Sequence, residues 1–541
     1  MSSPYEIEAQ PLTGSALVRD HGQAFDRVSR FYPAGPAARL ETFRRAAEDT
    51  RSRIPEERYR SLPDALRPSG AAARQKLERV VGERGVIVTA GQQAGLFTGP
   101  LYTVHKAWTA IVLAGRLERE LGLPVLPVFW VASEDHDWEE INHVHVVDVE
   151  NRLQRLGVGA PAELDGGTPP VFRLSLPPDI AQALATLDAA TPDSEFKDGV
   201  LGPLREAYAP GVNVAAAFAQ ALADLFADTP LCLLDAADPW VKSNSTPVLE
   251  REWARRRDVA TRLAEWAREL EAAGYETQVQ VDPGATNLFV EGPTGRDRLL
   301  LDPEGDGARL RRSGQVVSER DLLGWLRDTP DRVSPNVLLR PVVESFLLPV
   351  AATVGGPAEI AYHAQTPPLF EVHGVRPPPV VPRAAFRIVE RRVARVLEKT
   401  GASADDLATG PEHVALALAR DRIPESIESG LDGLARGLVE RFDRLGPEIE
   451  GLDASLKGAV GRARHAMEGA LEELRAKVTS SVQRRNETLL EQLRKASVHL
   501  WPLGQPQERV LNVYPYLIRY GRVLMSDLSK RVRLPLDADA A

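Results

Sequence analysis

Residues 85–145 constrain the fold more than any other stretch of this chain. A short apolar, β-branched run at 86–89 is followed by a loop containing Gly91, Gly95 and Gly99. A helix is predicted from Pro100 to about Gly122, since Pro suits the first helical position and Gly the end, and a second apolar run follows at 125–132. This pattern predicts a βαβ unit with a right-handed crossover. The loops 91–99 and 133–142 should therefore leave the carboxyl edge of one parallel sheet, where open α/β folds bind ligands.

The composition predicts a large globular protein with more than one domain. Of its 541 residues, 43% are hydrophobic and 26% are charged. The formal net charge of −10 argues against a nucleic-acid partner, because phosphate binding requires a basic face. No apolar run approaches the roughly 18 residues of a membrane span, and no opening segment resembles a signal peptide. We therefore expect a cytoplasmic protein without a membrane partner.

The single cysteine, Cys232, lies in an apolar run at 231–234. One cysteine can form neither an internal disulfide nor a cysteine metal cluster. We interpret Cys232 as a core residue rather than a catalytic thiol, since buried thiols are usually inert packing groups.

Changes in residue composition along the chain predict an α/β core that is interrupted twice and followed by a long helical region. Prolines between 161 and 178 separate short elements, and β-rich runs between 278 and 318 alternate with turn residues. The predicted segments are 1–150, the first part of the core; 151–227, a first inserted helical subdomain; 228–274, the second part of the core; 275–330, a second inserted small β subdomain; 331–385, the third part of the core; 386–500, a helical coiled-coil domain; and 501–541, a segment that packs back on the core.

Mainly apolar residues repeat at alternating spacings of three and four between Leu445 and Leu493, with one slip near Ala470, which is typical of a heptad seam. The seam comprises Leu445, Ile449, Leu452, Leu456, Ala459, Ala463, Ala466, Ala470, Leu474, Val478, Val482, Arg485, Leu489 and Leu493. One interpretation is an intramolecular helical hairpin, with residues 386–397 or 431–445 as the antiparallel partner. The other is a coiled coil that pairs two copies of the chain, and the two are compatible.

The glycine-rich loop after the first strand is a candidate anion site. Glycines let backbone N–H groups approach a ligand, and the start of the next helix favours negative charge. The candidate residues are Gly91, Gln92, Gln93, Gly95, Thr98, Gly99 and Tyr102. Lys106 is a weaker candidate for the same anion. The loop matches neither a Walker A motif nor a GxGxxG fingerprint, and a purely structural turn is the alternative.

The loop after the second strand concentrates five carboxylates and two imidazoles between Ser133 and His143. Such a group could supply a general base, hold an ammonium group or bind a divalent metal. Asp135, His136 and Asp137 are the candidate catalytic residues, and Glu134 and Asn142 are candidate binding residues. The spacing matches no zinc signature, so we predict no metal site. Helix capping and salt bridging are the alternative explanation.

Several motifs resemble, in order and spacing, the bacillithiol biosynthesis cysteine-adding family, BshC. They are TAGQQAGLFTGPLYTVHKA, PVFWVASEDHDWEEINH, TNLF at Thr286–Phe289, SPNVLLRP, GGPAEIAYHAQ and PLGQPQER, with Asn512 and Tyr520-Gly521. The resemblance covers about residues 31–528. It implies a Rossmann-like core of the nucleotidylyltransferase type with two connecting insertions, and a coiled coil that forms a homodimer. Related nucleotide-binding folds carry an HxGH signature at this turn. This chain has TGPLYTVHKA in that place, so the missing signature argues against ATP binding at this turn.

The resemblance also implies the activity, a ligase that joins L-cysteine to glucosaminyl malate. Activation of the cysteine carboxylate would use ATP or another nucleotide, and the substrates would be small molecules. Six residues of the later half are expected to close the pocket: Asn336, Arg340, Gly355, Gly356, Glu359 and Tyr362. Arg340 suits bidentate capture of a malate carboxylate. The alternatives are a dimeric substrate-binding or scaffold protein and a nucleotidyltransferase that acts on another acid.

Overall fold

The computed structural model describes residues 3–164, 167–302, 305, 307–421, 425–484 and 487–540. The described residues divide into two compact units. The core unit comprises the described residues of 7–149, 153–387 and 508–541. The hairpin unit comprises the described residues of 1–6, 150–152 and 388–507. Among the described residues, no helix combines the length and apolar character needed to cross a bilayer.

The strands of the described residues are short. They are β1 Tyr5–Gln10, β2 Arg67–Pro68, β3 Val86–Gln92, β4 Val125–Val131, β5 His143–Val147, β6 Leu153–Gly157, β7 Cys232–Asp235, β8 Ala285–Gly292, β9 Gly295–Leu301, β10 Ala308–Leu310, β11 Val316–Val317, β12 Val333–Pro335, β13 Val350–Gly355, β14 Val380–Pro382 and β15 Ala385–Glu390.

The helices range from single turns to long rods. They are α1 Ala16–Gln23, α2 Leu40–Arg53, α3 Glu56–Ala65, α4 Ala71–Glu83, α5 Tyr102–Leu121, α6 Trp138–Ile141, α7 Ile180–Ala190, α8 Lys197–Ala207, α9 Val214–Leu225, α10 Pro239–Ala254, α11 Arg256–Ala272, α12 Glu319–Asp328, α13 Arg340–Leu347, α14 Pro357–His363, α15 Pro367–His373, α16 Arg391–Thr400, α17 Pro411–Asp421, α18 Glu425–Leu452, α19 Lys457–Arg484, α20 Glu487–Leu500, α21 Gln507–Val510, α22 Tyr514–Tyr520 and α23 Val523–Arg531.

The central sheet of the core unit has the order β14-β13-β3-β4-β7-β2. All neighbouring pairs are parallel except β7 with the edge strand β2, which is antiparallel. Strands β3 and β4 pair in register from Val86 opposite Val125 to Gln92 opposite Val131, with α5 as their crossover. The predicted βαβ unit is therefore confirmed, and its two loops leave the same edge of the sheet.

Both faces of this sheet are covered, which explains why β4 is apolar at every position. Val128 and Trp130 share a core cluster with Leu77 of α4. Phe129 points to the opposite face, where its ring lies 6.3 Å from that of Phe218 on α9. Cys232 is buried within β7, and burial raises the pKa of its thiol to about 12, which confirms its interpretation as a core residue.

A second sheet in the core unit is antiparallel, with the order β11-β10-β9-β8-β12. The small β subdomain predicted at 275–330 accounts for four of these strands. The fifth, β12, comes from the segment assigned to the third part of the core and pairs with β8. Residues 278–282, predicted as a strand, form none, whereas β8 begins at Ala285.

Two local predictions in the core unit were wrong. The charge spacing at 250–274 predicts one long amphipathic helix, but the structure has two helices, α10 and α11, which meet at Arg255. The apolar run between Asn336 and Arg340 predicts a strand, but it forms a turn, because the Asn336 side chain accepts hydrogen bonds from the backbone N–H groups of Leu338 and Leu339 and so ends β12.

The hairpin unit corrects the heptad prediction. Residues 445–493 do not form one continuous helix, because a turn at 453–456 separates α18 from α19, and the Asp453 side chain accepts a hydrogen bond from the Ser455 backbone N–H there. The two helices are antiparallel, since Arg464 pairs with Asp443 at 2.7 Å and Arg475, further along α19, pairs with Asp432, further back on α18. The intramolecular hairpin is thus confirmed. Arg485 of the predicted seam lies outside the described residues.

Of the segment predicted to pack back on the core, 501–541, the part from Glu508 onward belongs to the core unit and residues 501–507 belong to the hairpin unit. Asn512 illustrates the packing: its side chain donates to the backbone carbonyls of Phe97 and Gly99, both at 2.7 Å. The other predicted segment boundaries stay predictions.

Candidate functional site

A cavity of about 610 Å³ lies in the core unit at the carboxyl edge of the parallel sheet. Residues after five strands line it, namely Gln93 after β3, Asp135 after β4, Ala236 after β7, Gly356 after β13 and Arg383 after β14. Parallel strands bring their carboxyl ends together, so chain segments far apart in sequence meet here. The two loops singled out from the sequence both border this cavity, as predicted.

The cavity wall carries more cationic than anionic side chains, in contrast to the net charge of the chain. The cationic residues are Lys106, Arg296, Arg298, Arg340, Arg383 and Arg509, and the carboxylates are Glu134, Asp135, Glu140 and Glu359. Asn336 and the rings of Tyr102, Trp130, Phe289 and Tyr362 also line it.

Asp135 is held as a carboxylate. Its Oδ2 accepts a hydrogen bond from Gln93 Nε2 at 2.6 Å, and its Oδ1 accepts one from the His136 backbone N–H at 2.7 Å. Burial raises the pKa of Asp135, but the hydrogen bonds and the charge of Arg296 outweigh burial and bring the pKa well below its usual range. Asp135 is therefore a strong anchor for a cation and a weak base.

His136 lies between groups that favour opposite tautomers. Its Nδ1 is 3.4 Å from Asp135 Oδ1, which can only accept a proton, and 3.3 Å from Arg296 Nη1, which can only donate one. Arg296 itself is fixed by Ser334 Oγ at 3.0 Å and the Pro335 carbonyl at 2.9 Å, and it stacks on Phe289. The Nδ1 of His136 can thus hydrogen-bond either neighbour, as a donor to Asp135 or as an acceptor from Arg296.

Glu134 already has an ion-pair partner, Lys242, which does not line the cavity. The buried Lys242 donates a short hydrogen bond to its Oε1 and another to the Val333 carbonyl at 2.6 Å. A buried ammonium needs a counter-charge, and Glu134 is the ion-pair partner of Lys242.

Arg340 and Glu359 both line the cavity, as predicted, and they do not pair with each other. Arg340 forms a close ion pair with the buried Glu344 and donates to Tyr362 Oη at 2.9 Å. Burial alone would lower the pKa of Arg340, but Tyr362 and Glu344 raise it above its ordinary value. Part of the guanidinium fork is thus occupied before any malate carboxylate binds.

Lys106 connects β3 to the start of α14. Its Nζ donates to the Gly91 carbonyl and Gln92 Oε1, both at 2.8 Å, and lies 2.5 Å from Glu359 Oε2. Glu359 in turn accepts from the Gly356 backbone N–H at 2.7 Å. The turn Gly355-Gly356-Pro357 predicts a helix with Glu359 in its first turn, and α14 begins in this way. Since all three ammonium protons have partners in the protein, Lys106 is a structural link, and its weaker candidacy as an anion ligand stays a prediction.

Arg383 reaches the cavity wall on a buried support. Glu508 accepts from both of its terminal nitrogens, at 2.6 and 2.8 Å, and from His105 Nδ1 at 2.9 Å. Burial raises the pKa of Glu508, but His105 and Arg383 outweigh it and lower the pKa to about 2.

The prediction that Gly95, Thr98 and Gly99 present backbone amides to an anion was wrong. Their N–H groups are used within the protein, by the Gln93 carbonyl, by Tyr208 Oη and by the Leu96 carbonyl respectively. Phe97, Thr98 and Gly99 have φ values of 47°, 67° and 73°, a left-handed turn that faces Tyr208 and Asn512. Gly91 and both glutamines do border the cavity, with Gln92 donating to Tyr102 Oη at 3.3 Å.

Three further predicted residues do not line the cavity. Asp137 is exposed and caps α6 by accepting from the Glu140 backbone N–H at 3.3 Å, which matches the capping alternative. Asn142 is buried, and its Oδ1 lies 2.9 Å from His143 Nδ1. Gly355 is buried at the end of β13, directly before Gly356.

Sequence reasoning missed Arg296, Arg298, Arg383 and Arg509. The first two are on β9 of the antiparallel sheet, and arginines on a strand carry no signal of their own in a chain with 66 basic residues. Within the described part of the chain, no three His, Cys, Asp or Glu side chains gather as a metal-binding group.

Comparison with known proteins gives two family matches that together span nearly the whole chain. The sequence model of "Bacillithiol biosynthesis BshC, N-terminal Rossmann-like domain" matches residues 4–384, and that of "Bacillithiol biosynthesis BshC, C-terminal coiled-coil domain" matches residues 386–537. A relative from Salinibacter ruber is 35% identical over 554 residues, which cover 99% of each chain. Relatives from Chlorobaculum tepidum and Heliobacterium modesticaldum are 33% and 34% identical, over 84% and 86% of this chain and 82% and 84% of their own. All three are named "Putative cysteine ligase BshC".

Proposed function

The chain belongs to the BshC family of bacillithiol biosynthesis, and from that premise we propose that it is a ligase that joins the carboxyl group of L-cysteine to the amine of glucosaminyl malate in the last step of the pathway. The core is proposed to be of the nucleotidylyltransferase type, with two inserted subdomains. Support for a catalytic role comes from the cavity, which lies where open α/β sheets bind small molecules.

The observation that carries the proposal is the ionised Asp135 carboxylate on a wall that is otherwise mainly cationic. Amide formation requires an amine and a carboxylic acid at one place. Asp135 suits the ammonium form of the amine, and the surrounding guanidinium groups suit carboxylates and a charged leaving group. The cavity thus has complementary positions for both reactants.

The chemistry requires an activated acid, since joining a free carboxylate to an amine is uphill in water. A nucleotide cosubstrate supplies this activation as an acyl phosphate or adenylate. The amine nitrogen then attacks the acyl carbon, the C–N bond forms as the bond to phosphate or AMP breaks, and the amine releases a proton. Asp135 orients the amine, and His136 is the proposed proton acceptor because Asp135 is too weak a base.

The test is reconstitution with purified protein, cysteine, glucosaminyl malate and each candidate nucleotide, followed by mass spectrometry of bacillithiol. Loss of a charge-assisted hydrogen bond is worth about 1.5 to 3 kcal/mol, so Asp135→Asn should lower kcat/KM roughly 10- to 150-fold. Asp137→Asn is the matched control, since it removes one charge from the same loop outside the cavity and Asn caps helices about as well as Asp. Equal losses in both variants, or no product from the wild type with any nucleotide, would contradict the proposal.

We also propose that the helical hairpin pairs two copies of the chain. Leu434, Leu445 and Leu474 on α18 and α19 are exposed, and Leu452 at the end of α18 is 85% exposed. Exposed leucines on adjoining helices favour association with another apolar surface. Light scattering should give a dimer for the wild type and a monomer for a Leu434→Glu, Leu445→Glu, Leu474→Glu triple variant. Val316→Glu, which alters an exposed apolar residue of the core unit, should leave the dimer intact, and a monomeric wild type at micromolar concentration would refute the pairing.

A further inference from the structure

Arginines from two strands occupy one face of the antiparallel sheet beside the cavity. Arg296 and Arg298 are two residues apart on β9, so they project to the same side, and both line the cavity. The turn directly after β10 places Arg311 opposite Arg298, because the Arg311 backbone N–H donates to the Arg298 carbonyl at 2.9 Å. Arg309 and Arg311 are exposed and alternate with Ala308 and Leu310, which are buried, so the arginines lie on the outer face.

The charges of Arg298 and Arg311 are not paired directly with any carboxylate of the described residues. Among the described residues, neither side chain has a carboxylate within ion-pair distance, and the side chain of Arg298 makes one hydrogen bond, from Nε to the Thr286 carbonyl at 3.3 Å. Asp282 lies near enough to favour the charged form of Arg298, whereas burial and Arg311 disfavour it and lower the pKa of Arg298. Like charges opposite each other on a sheet destabilise it, so this arrangement is costly unless an anion joins them.

Three of the four other cavity arginines differ in this respect. Arg340 and Arg383 have the carboxylates of Glu344 and Glu508 as partners, and Arg296 is fixed by Ser334 and the Pro335 carbonyl. The terminal nitrogens of Arg298 have no hydrogen-bond partner among the described residues. They are therefore free to bind an anion that enters from the exposed side of the sheet.

We propose that Arg298 and Arg311 form a polyanion-binding subsite that takes the phosphate chain of the activating nucleotide. Two planar guanidinium forks, one on β9 and one in the turn after β10, match the several oxygens and multiple charges of a di- or triphosphate. That the bound phosphates belong to a nucleotide rests on the proposed function. In this proposal the phosphates bind at the antiparallel sheet and not at the glycine-rich loop, because the amides of that loop already have hydrogen-bond partners. A malate dicarboxylate has related chemistry and is tested alongside.

The experiment is isothermal titration calorimetry of the full-length protein with sodium tripolyphosphate, and separately with sodium malate, at low ionic strength. Arg298→Gln and Arg311→Gln should each raise the Kd for tripolyphosphate roughly tenfold, the size expected for losing a charge-assisted hydrogen bond. Arg320→Gln is the matched control, because it removes one exposed positive charge from α12 of the same subdomain, and its Kd should stay within about twofold of wild type. Wild-type affinity in the Arg311→Gln variant, or equal losses in all three variants, overturns the subsite.

Malate binding separates the two anion sources. Tripolyphosphate binding that depends on Arg298 and Arg311, with malate binding unaffected by either variant, supports the proposal. Malate binding that depends on both arginines, without tripolyphosphate binding, overturns it in favour of a substrate carboxylate site.

Turnover measurements distinguish failure of the subsite from failure of the proposed function. If the wild type is active, Arg311→Gln should raise the KM for the nucleotide roughly tenfold with a smaller change in kcat. An unchanged KM in an active enzyme overturns the subsite but not the proposed ligase activity. A wild type that yields no bacillithiol with any nucleotide, yet binds tripolyphosphate through both arginines, refutes the ligase and supports the subsite.

Discussion

Replacement of Glu508 by Gln tests whether the buried support of Arg383 stabilises the core unit. Glu508 is nearly buried and accepts two hydrogen bonds from Arg383 and one from His105. Its pKa is lowered to about 2, and the unfolded value is about 4.5. At about 1.4 kcal/mol for each pKa unit, this difference corresponds to about 3 kcal/mol of stability at neutral pH.

The sign of the pH dependence follows from the lowered pKa. A carboxylate with a depressed pKa in the folded state stabilises the protein above the unfolded pKa, and this contribution is lost as the pH falls through the folded pKa. Glu508→Gln should therefore lower the free energy of unfolding by about 3 kcal/mol at pH 7, and by about 1.5 kcal/mol near pH 3, where the wild type has already lost part of the benefit.

The assay is urea unfolding followed by tryptophan fluorescence at both pH values. Glu78→Gln is the control, since Glu78 is an exposed residue of α4 and its substitution should change stability by less than about 0.5 kcal/mol. A loss below about 1 kcal/mol at pH 7, or an equal loss at both pH values, would show that Glu508 does not act through its charge.

Three further predictions concern other buried groups. Lys106→Met should destabilise the protein by about 3 to 5 kcal/mol because Glu359 loses its counter-charge. Adding Glu359→Gln to this variant should recover part of the lost stability in a double-mutant cycle, and additive effects would refute the ion pair between Lys106 and Glu359. Asn512→Ala should cost about 2 to 4 kcal/mol in denaturant unfolding, since two buried carbonyls lose their donor, whereas a loss under about 1 kcal/mol would argue against its role in holding the left-handed turn. Cys232 should resist maleimide in the native protein at pH 8 and react fully after denaturation, so rapid native labelling would contradict its burial.

Local patterns predicted the framework of the core unit correctly. The apolar runs at β3 and β4, the glycine-rich loop and the helix between them establish the βαβ unit, because strand polarity and crossover handedness follow from short-range sterics. The start of α14 was also predictable, since a Gly-Gly-Pro turn followed by Glu359 satisfies the first helical N–H groups within a few residues.

The heptad seam shows the limit of periodicity as evidence. Leu445 to Leu493 largely keep the expected spacing, but Gly451 lies in the last turn of α18 and Asp453 follows that helix, where the chain turns toward α19. Both residue types are poor in helix interiors, and Asp is a good cap, so a turn is physically favoured there. The apolar spacing survives across the turn because each helix of a hairpin needs its own apolar stripe.

Sequence alone determined that the loops after β3 and β4 meet at one sheet edge, and tertiary structure decided which of their groups face the cavity. Thr98 turns away because Tyr208 and Asn512, distant in sequence, bind its loop, while Arg298 enters from a separate antiparallel sheet. Asp135 is an anchor rather than a base because Gln93 and Arg296 surround it. Strand direction and capping depend on neighbours within a few residues, whereas burial, charge pairing and pKa depend on side chains that only the folded chain brings together.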